Sequence, residues 1–222
     1  MMTRISKITR MSIHSRLSYP INPSYPGYHS NPKPSKTMPA KDFLPQKGAD
    51  RNLIAYQKAE CVYDATFLFT RKFLSVGDRT IDQMLQAARS GKQNIVEGCA
   101  ARTMSSETEL KLLNVAKASL QELLVDYEDY LRVRGLKQWQ TTDEQYQQSI
   151  AICRSHNDSA FYREKLSERS DETVANIAII LIHQTDYLIT RLFERLKQDF
   201  VKEGGVKEQM YKARMAHMKK NG

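Results

Sequence analysis

The sequence predicts an all-α protein: an up-down four-helix bundle preceded by a disordered basic arm. Three observations carry that expectation. All seven prolines fall within the first 45 residues, leaving the rest without the residue that blocks a helix interior. Beyond residue 50 apolar residues recur at spacings of three and four, the helical period, and no alternating strand pattern is present. Gly77, Gly135 and Gly204-Gly205 close three of these periodic segments, where a left-handed residue commonly ends a helix.

Residues 1–42 set Pro20, Pro23, Pro26, Pro32, Pro34 and Pro39 among Ser, Asn, Gly and Tyr. Such a stretch holds neither a ladder nor a helix and is expected to be disordered. It is either a basic arm for nucleic acid or a partner, or a dispensable extension, since Met11 and Met38 also offer starts. The bundle is expected over 43–203. Its first helix is expected from Asp50 to Val76, with Ile54, Cys61, Ala65 and Leu68 on one face. A second starts at Thr80, whose spacing to Gln83 is that of a capping box, with Asp82 in the first turn, and runs to about Ala101. A third takes Ser106 and Glu109 as its capping box and reaches Arg134, with Leu113, Ala116, Leu120, Leu124, Tyr127 and Leu131 as its seam. Residues 136–169 read as polar, with one short helix near 142–154. The fourth long helix follows Ser170 over 171–203, with a seam through Val174, Ile177, Leu181, Leu188, Leu192 and Phe200. Residues 204–222 form a basic tail.

Hydrophobic residues make up 41% and charged residues 27% of the 222, a globular composition. No run approaches the ~18 apolar residues of a membrane span, and the basic N-terminus lacks the apolar stretch of a secretory signal. Cys61, Cys99 and Cys153 are odd in number and far apart, which argues against a disulfide framework or a zinc ribbon and fits a reducing cytoplasm. The net charge of +9 belongs to the two ends: residues 48–201 hold 20 basic and 22 acidic residues.

The stretch "RSGKQNIVEG", residues 89–98, contains a Gly91-Lys92 pair reminiscent of a phosphate-binding loop. A Walker A loop requires Ser or Thr next and an earlier glycine, where this chain has Gln93 and Gln86, and it follows a strand, where this chain is helical. On a helix, Ala87, Gly91, Asn94 and Gly98 instead share one face. Small residues there let a neighbouring backbone approach, and Asn94 is expected to be a buried polar staple satisfied by the facing helix.

Ala55-Tyr56-Gln57-Lys58-Ala59-Glu60, "YDATFLFTRKF", "DQMLQAARSGKQNIVEG" and "ELKLLNVAKASLQELLVDYEDYLR" resemble the four-helix-bundle suffix-domain family. That family is similar to the four-helix-bundle proteins encoded in 23S rRNA intervening sequences and to the accessory variability determinant of diversity-generating retroelements. The resemblance covers about residues 43–135 and, more weakly, the last long helix. Asn94-Ile95-x-Glu97-Gly98 and Ala118-Ser119-Leu120-x-Glu122-Leu123 are its most specific parts. It implies a compact up-down bundle, often a barrel-like homopentamer, without catalysis or cofactor. In the accessory variability determinant group it further implies a basic surface that binds nucleic acid and a reverse transcriptase. It leaves residues 1–42 and the C-terminal tail unexplained, and the nearly neutral core of this chain departs from the basic surface.

Residue types that carry chemistry are sparse. No Glu has His three positions later, as a di-metal bundle needs. His183 with Asp186 is a lone pair, and no Ser/His/Asp or Cys/His set is suggested, so a non-enzyme is expected. Glu122, Asp126 and Asp129 line one face, read as solvated or as an acidic patch for a neighbouring subunit. For RNA or DNA the candidates are Arg89 and Lys92, Arg102 in the following turn, and Lys111 and Lys117. The tail "VKEQMYKARMAHMKK" interleaves cations with Met and Tyr and reads either as an extension of the last helix that binds a partner or nucleic acid, or as a frayed, solvent-exposed helix. Two functions follow: an oligomeric nucleic-acid-binding accessory protein, or a protein-interaction scaffold that never touches nucleic acid.

Overall fold

A computed structural model describes residues 53–102 and 105–221. The expected disordered arm over 1–42 and the expected start of the first helix at Asp50 lie outside the described residues. Within them the chain forms seven helices and no strand: α1 (Ile54–Phe73), α2 (Thr80–Ala101), α3 (Ser106–Val133), α4 (Glu144–Ser155), α5 (Ser159–Leu166), α6 (Asp171–Glu203) and α7 (Val206–Asn221). The four long helices pack in a closed circuit: α1 lies against α2 and α6, and α3 lies against the same two.

Helix starts differ in detail from the sequence pattern. At α2 the expected Thr80–Gln83 capping box does not form; Asp78 Oδ1 instead accepts the Thr80 N–H at 2.9 Å. At α3 the cap is Ser105, one residue earlier than expected, accepting from Thr108 N–H at 3.3 Å. Glu109 is buried. Ser170 caps α6 through the Thr173 N–H, 3.3 Å away. The α3 terminus is a Schellman motif: Gly135 adopts φ 65°, Leu136 N–H bonds Leu131 O at 2.9 Å and Gly135 N–H bonds Arg132 O at 3.2 Å.

The centre is aromatic. Phe69 of α1 meets Tyr127 and Tyr130 of α3 edge-on, with centroids 5.0 and 4.7 Å apart. Tyr127 donates to Thr66 Oγ1 at 3.1 Å, and Thr66 donates in turn to Val62 O, so both buried hydroxyls are satisfied. Tyr130 donates to Asp171 Oδ2 at 2.9 Å, tying α3 to the first turn of α6.

The expected α3 seam is buried throughout. The expected faces of α1 and α6 are not: Ile54 and Phe200 are exposed, and α6 buries Val174, Ala175, Ala178, Ile179, Ile180 and Leu181 around its N-terminal half. The extended burial of α6 follows from the segment 136–169, which is not a polar connection but a second layer. It carries α4 and the unexpected α5, which pack on α6 and α1 respectively. A helix covered on both sides needs apolar residues all round.

Two lysines of α1, fourteen residues and thus nearly four turns apart, anchor this layer. Lys58 is buried, and its Nζ donates to Cys153 O and to His156 O, the latter at 2.7 Å, at the C-terminal end of α4. Lys72 donates to Ser167 O at 2.6 Å and Arg169 O at 3.1 Å just beyond α5. Each ammonium thus meets the negative end of a helix dipole and its orphan carbonyls. The α5 guanidinium of Arg163 also pairs with Asp64 of α1. Asn176 on α6 completes the attachment: its amide donates to Lys137 O at 2.9 Å while its carbonyl accepts from Trp139 N–H at 2.8 Å.

The small-residue face of α2 lies against α3. A Cβ on Gly91 would stand 2.9 Å from both Cγ and Cδ2 of buried Leu120, whereas one on Gly98 would meet nothing nearer than Glu109 O at 3.4 Å. Gly91→Val is therefore expected to cost about 1–3 kcal/mol by overpacking. Gly98→Ala should leave stability unchanged or raised by up to ~1 kcal/mol through helix propensity. Urea midpoints of the two variants check the contrast. Lys58→Met keeps the apolar volume but strips the buried Cys153 carbonyl of its donor and leaves the His156 carbonyl with Tyr162 alone. It should cost about 1–3 kcal/mol and speed amide exchange through α4 more than through α3.

Candidate nucleic-acid interface

The five cations expected to contact nucleic acid sit on α2, its C-terminal turn and α3, but their side chains go to different neighbours. Arg89 is exposed and has no ion pair among the described residues. Lys92 turns towards α1, its Nζ 4.3 Å from the Tyr63 ring centroid. Arg102 reaches across the bundle end, 4.0 Å from Glu109 Oε2 and 3.7 Å from Asp199 Oδ2, joining α2 to α3 and α6. Lys111 pairs with Glu107 at 2.7 Å on the surface of α3. Lys117 faces α6, donating to Thr190 Oγ1 at 2.5 Å and standing 3.5 Å from Asp186 Oδ1. A phosphate competing for these cations would displace internal carboxylates in three of five cases, which offsets the gain from counterion release.

The helix-packing set fares differently. Ala87, Gly91 and Gly98 are buried, while Asn94 is half-buried. The Asn94 amide is satisfied within its own helix rather than by the facing one: Nδ2 donates to Ser90 O at 2.9 Å and lies 3.2 Å from Ser90 Oγ. Ser90 then makes the crossing to α3, with its Oγ 2.9 Å from Ser119 Oγ. A side chain four residues from a backbone carbonyl on its own helix reaches it without help, which is why the expected interhelical staple passes to the shorter serine.

The His183–Asp186 pair is divided, since Asp186 turns to Lys117 and His183 is exposed. Among the described residues no group of three His, Cys, Asp or Glu side chains could hold a metal ion. No helix of the described residues is long and apolar enough to cross a membrane.

Further exposed cations lie in α7, which is a separate helix rather than a continuation of α6. Gly204 takes φ 79°, its N–H closes α6 on Phe200 O at 2.9 Å, and Gln209 N–H to Gly205 O at 3.0 Å opens the next helix. Lys207, Lys212, Arg214 and Lys219 are all exposed on α7. Lys207, together with the larger effect of Lys111, helps hold the Glu107 carboxyl below its ordinary value. Lys212, Arg214 and Lys219 have no ion pair among the described residues. At about 100° per residue, Met218, Tyr211 and Met215 fall in one strip roughly 60° wide, with Lys207 and Arg214 on one side and Lys212 and Lys219 on the other. Tyr211, Met215 and Met218 are themselves exposed.

The acidic run on α3 is partly desolvated. Burial, and then the neighbouring charges of Asp129 and Glu122, raise the Asp126 carboxyl above its ordinary value; Asp129 itself pairs with Arg132 at 2.7 Å. A raised folded value means that the native chain binds more protons than the unfolded one just above pH 3.8, so stability is lost as pH rises through this window. Asp126→Asn should raise the unfolding free energy obtained from urea titration at neutral pH by at most ~0.5 kcal/mol, given its solvent screening. The advantage should vanish once both states are protonated, and a midpoint unchanged at every pH would mean that Asp126 is fully solvated.

Comparison with known proteins adds no relative: no family model, no curated protein and no solved structure matches this chain.

Proposed function

We propose that the protein is a non-catalytic, nucleic-acid-binding accessory protein, in which α1, α2, α3 and α6 form an up-down four-helix bundle and α7 supplies the binding surface. The observation that carries this reading is the distribution of unpaired charge. Cations on α2 and α3 are largely engaged by aromatic, hydroxyl and carboxylate groups of the same chain, whereas α7 exposes cations on both flanks of Tyr211. Phosphates are met by cations, and bases by a stacking ring between them. Such a surface favours single-stranded RNA or DNA without a fixed sequence.

The resemblance to the proteins of 23S rRNA intervening sequences and to the accessory variability determinant supports the same class, with a homo-oligomer, often pentameric, as the working assembly. Val115 and Val125 on α3 and Tyr187 and Phe200 on α6 are exposed apolar side chains suited to contacts between copies. A reverse transcriptase is the protein partner this resemblance suggests, and three free cysteines fit a reducing cytoplasm.

The test is binding of a single-stranded RNA and its DNA counterpart by fluorescence anisotropy over a salt series, using the full chain. Lys212→Glu, Arg214→Glu and Lys219→Glu combined should abolish most binding for all sequences alike, and the salt slope should fall by about 0.7 per cation lost. Arg89→Glu with Lys92→Glu should have a small effect. A larger loss from the α2 pair would move the site to the bundle. No binding by the unaltered chain would leave the protein-interaction scaffold, with the exposed apolar residues as its docking faces.

A further inference from the structure

The α4–α5 layer does more than cover α1 and α6. Between α4, α5 and the N-terminal half of α6 it leaves a cleft of about 400 Å³, within the ~300–1,000 Å³ that small-molecule sites occupy. The buried side chains of Cys153, Tyr162 and Leu166 form its floor. Trp139 and Phe161 supply aromatic walls, and Ile152 and Ile177 add aliphatic surface. Gln145, Gln148, Lys165 and Arg169 stand at the rim, all exposed.

Two features define what such a cleft accepts. No Asp or Glu is among its lining residues, although both kinds are plentiful in the chain. Its two charged groups are cations. Lys165 has Glu164 2.9 Å away, but the Arg169 guanidinium has no ion pair among the described residues. Arg169 is held at the rim by its own backbone, whose carbonyl accepts from Lys72. The Trp139 backbone N–H is bonded to Asn176, Tyr162 donates to His156 O at 3.0 Å, and Phe161 stacks on His156 with centroids 4.0 Å apart. An apolar, aromatic-walled cleft whose only charges are cations at the mouth matches a flat organic anion. The apolar body is desolvated inside while the charge stays at the mouth, where a guanidinium can grip it by two N–H groups.

We propose that this cleft binds a small aromatic carboxylate, with its ring between Trp139 and Phe161 and its carboxylate on Arg169. The site is independent of α7 and of the nucleic-acid reading. It is a binding site, with no catalytic step assigned to the groups on its floor. Burial pushes the Cys153 thiol above its ordinary value, and it raises the Tyr162 hydroxyl as well.

Trp139 is the sole tryptophan of the chain, so its emission reports on the cleft alone. The full-length protein is titrated with 1-anilinonaphthalene-8-sulfonate, a flat apolar anion, while Trp139 is excited selectively. Saturable quenching of Trp139, reversed by 2-naphthoate but not by equal concentrations of the neutral 2-naphthalenemethanol, is the expected result. Arg169→Ala, an exposed position, should weaken binding about ten-fold. Ser149→Phe, which fills the cleft from α4 without adding a second tryptophan, should abolish displaceable dye binding; far-UV circular dichroism verifies that both variants remain folded. Three results would overturn the proposal: no saturable quenching, equal displacement by the neutral alcohol, or unchanged affinity in Arg169→Ala. Either of the last two would assign the cleft to an uncharged apolar group, such as a side chain of a partner protein.

Discussion

A lysine ammonium inside a protein must be solvated by something, and in this chain the solvent is the end of a helix. Lys58 lies within α1 among Ala55, Ala59, Cys61 and Val62, all buried, and no carboxylate pairs with it among the described residues. Burial pushes it below the ordinary lysine value. The carbonyls of Cys153 and His156 replace its water shell, and that of Cys153 is itself relieved of the cost of being orphaned. The two demands are met only if α4 ends on α1 at that point. Lys72 repeats the arrangement for α5 four turns further along. The position of the whole second layer follows from these two contacts.

Much else depends on that layer. It covers the outer side of α6, which accounts for the continuous burial from Ala178 to Ile182 in a helix expected to be amphipathic. Its attachment at three separated places, Lys58, Lys72 and Asn176, leaves unfilled volume between α4, α5 and α6. A layer pinned at its ends by polar contacts cannot collapse fully onto the surface beneath it, and the cleft is the residue of that constraint. On the opposite side, α2 and α3 have no such spacer. Gly91 brings them together until Leu120 fills the space a side chain would take. One molecule thus contains a tight helix pair, where backbone approach decides the fit, and a loose one, where hydrogen bonds do.

Charge follows the same division. Within the packed circuit, cations are used to join helices: Arg102 links α2 to α3 and α6, and Lys117 links α3 to α6. These pairs are half-exposed and individually weak, yet they occupy the groups that a phosphate would need. On α7, Lys212, Arg214 and Lys219 have no ion pair among the described residues and are turned to solvent. The separation of joining charges from exposed charges is what gives the α7 reading its weight over a surface on α2 and α3.

Periodicity and punctuation were enough to locate α2, α3 and α6 within a residue or two, because a helix reports its buried face at intervals of three and four and its end at a glycine. The small-residue face of α2 was legible for the same reason: Ala87, Gly91 and Gly98 recur on one side whatever they pack against. At α3 capping was legible in kind but shifted in place, because Ser105 and Ser106 offer the same hydroxyl and residue type does not choose between them. The α5 helix, with eight residues and one turn of apolar spacing, carries too short a signal to stand out from a polar connection. What the sequence could not contain was pairing at a distance. Lys58 looks like any helical lysine until Cys153, 95 positions away, is brought to it; Lys117 looks like a free surface cation until α6 supplies Thr190 and Asp186. The sequence by itself determined where helices form, since that depends on neighbours three and four residues apart. Only the tertiary structure decided which charges are joined, which are exposed and where a cleft remains, since those depend on residues that meet only when the helices pack.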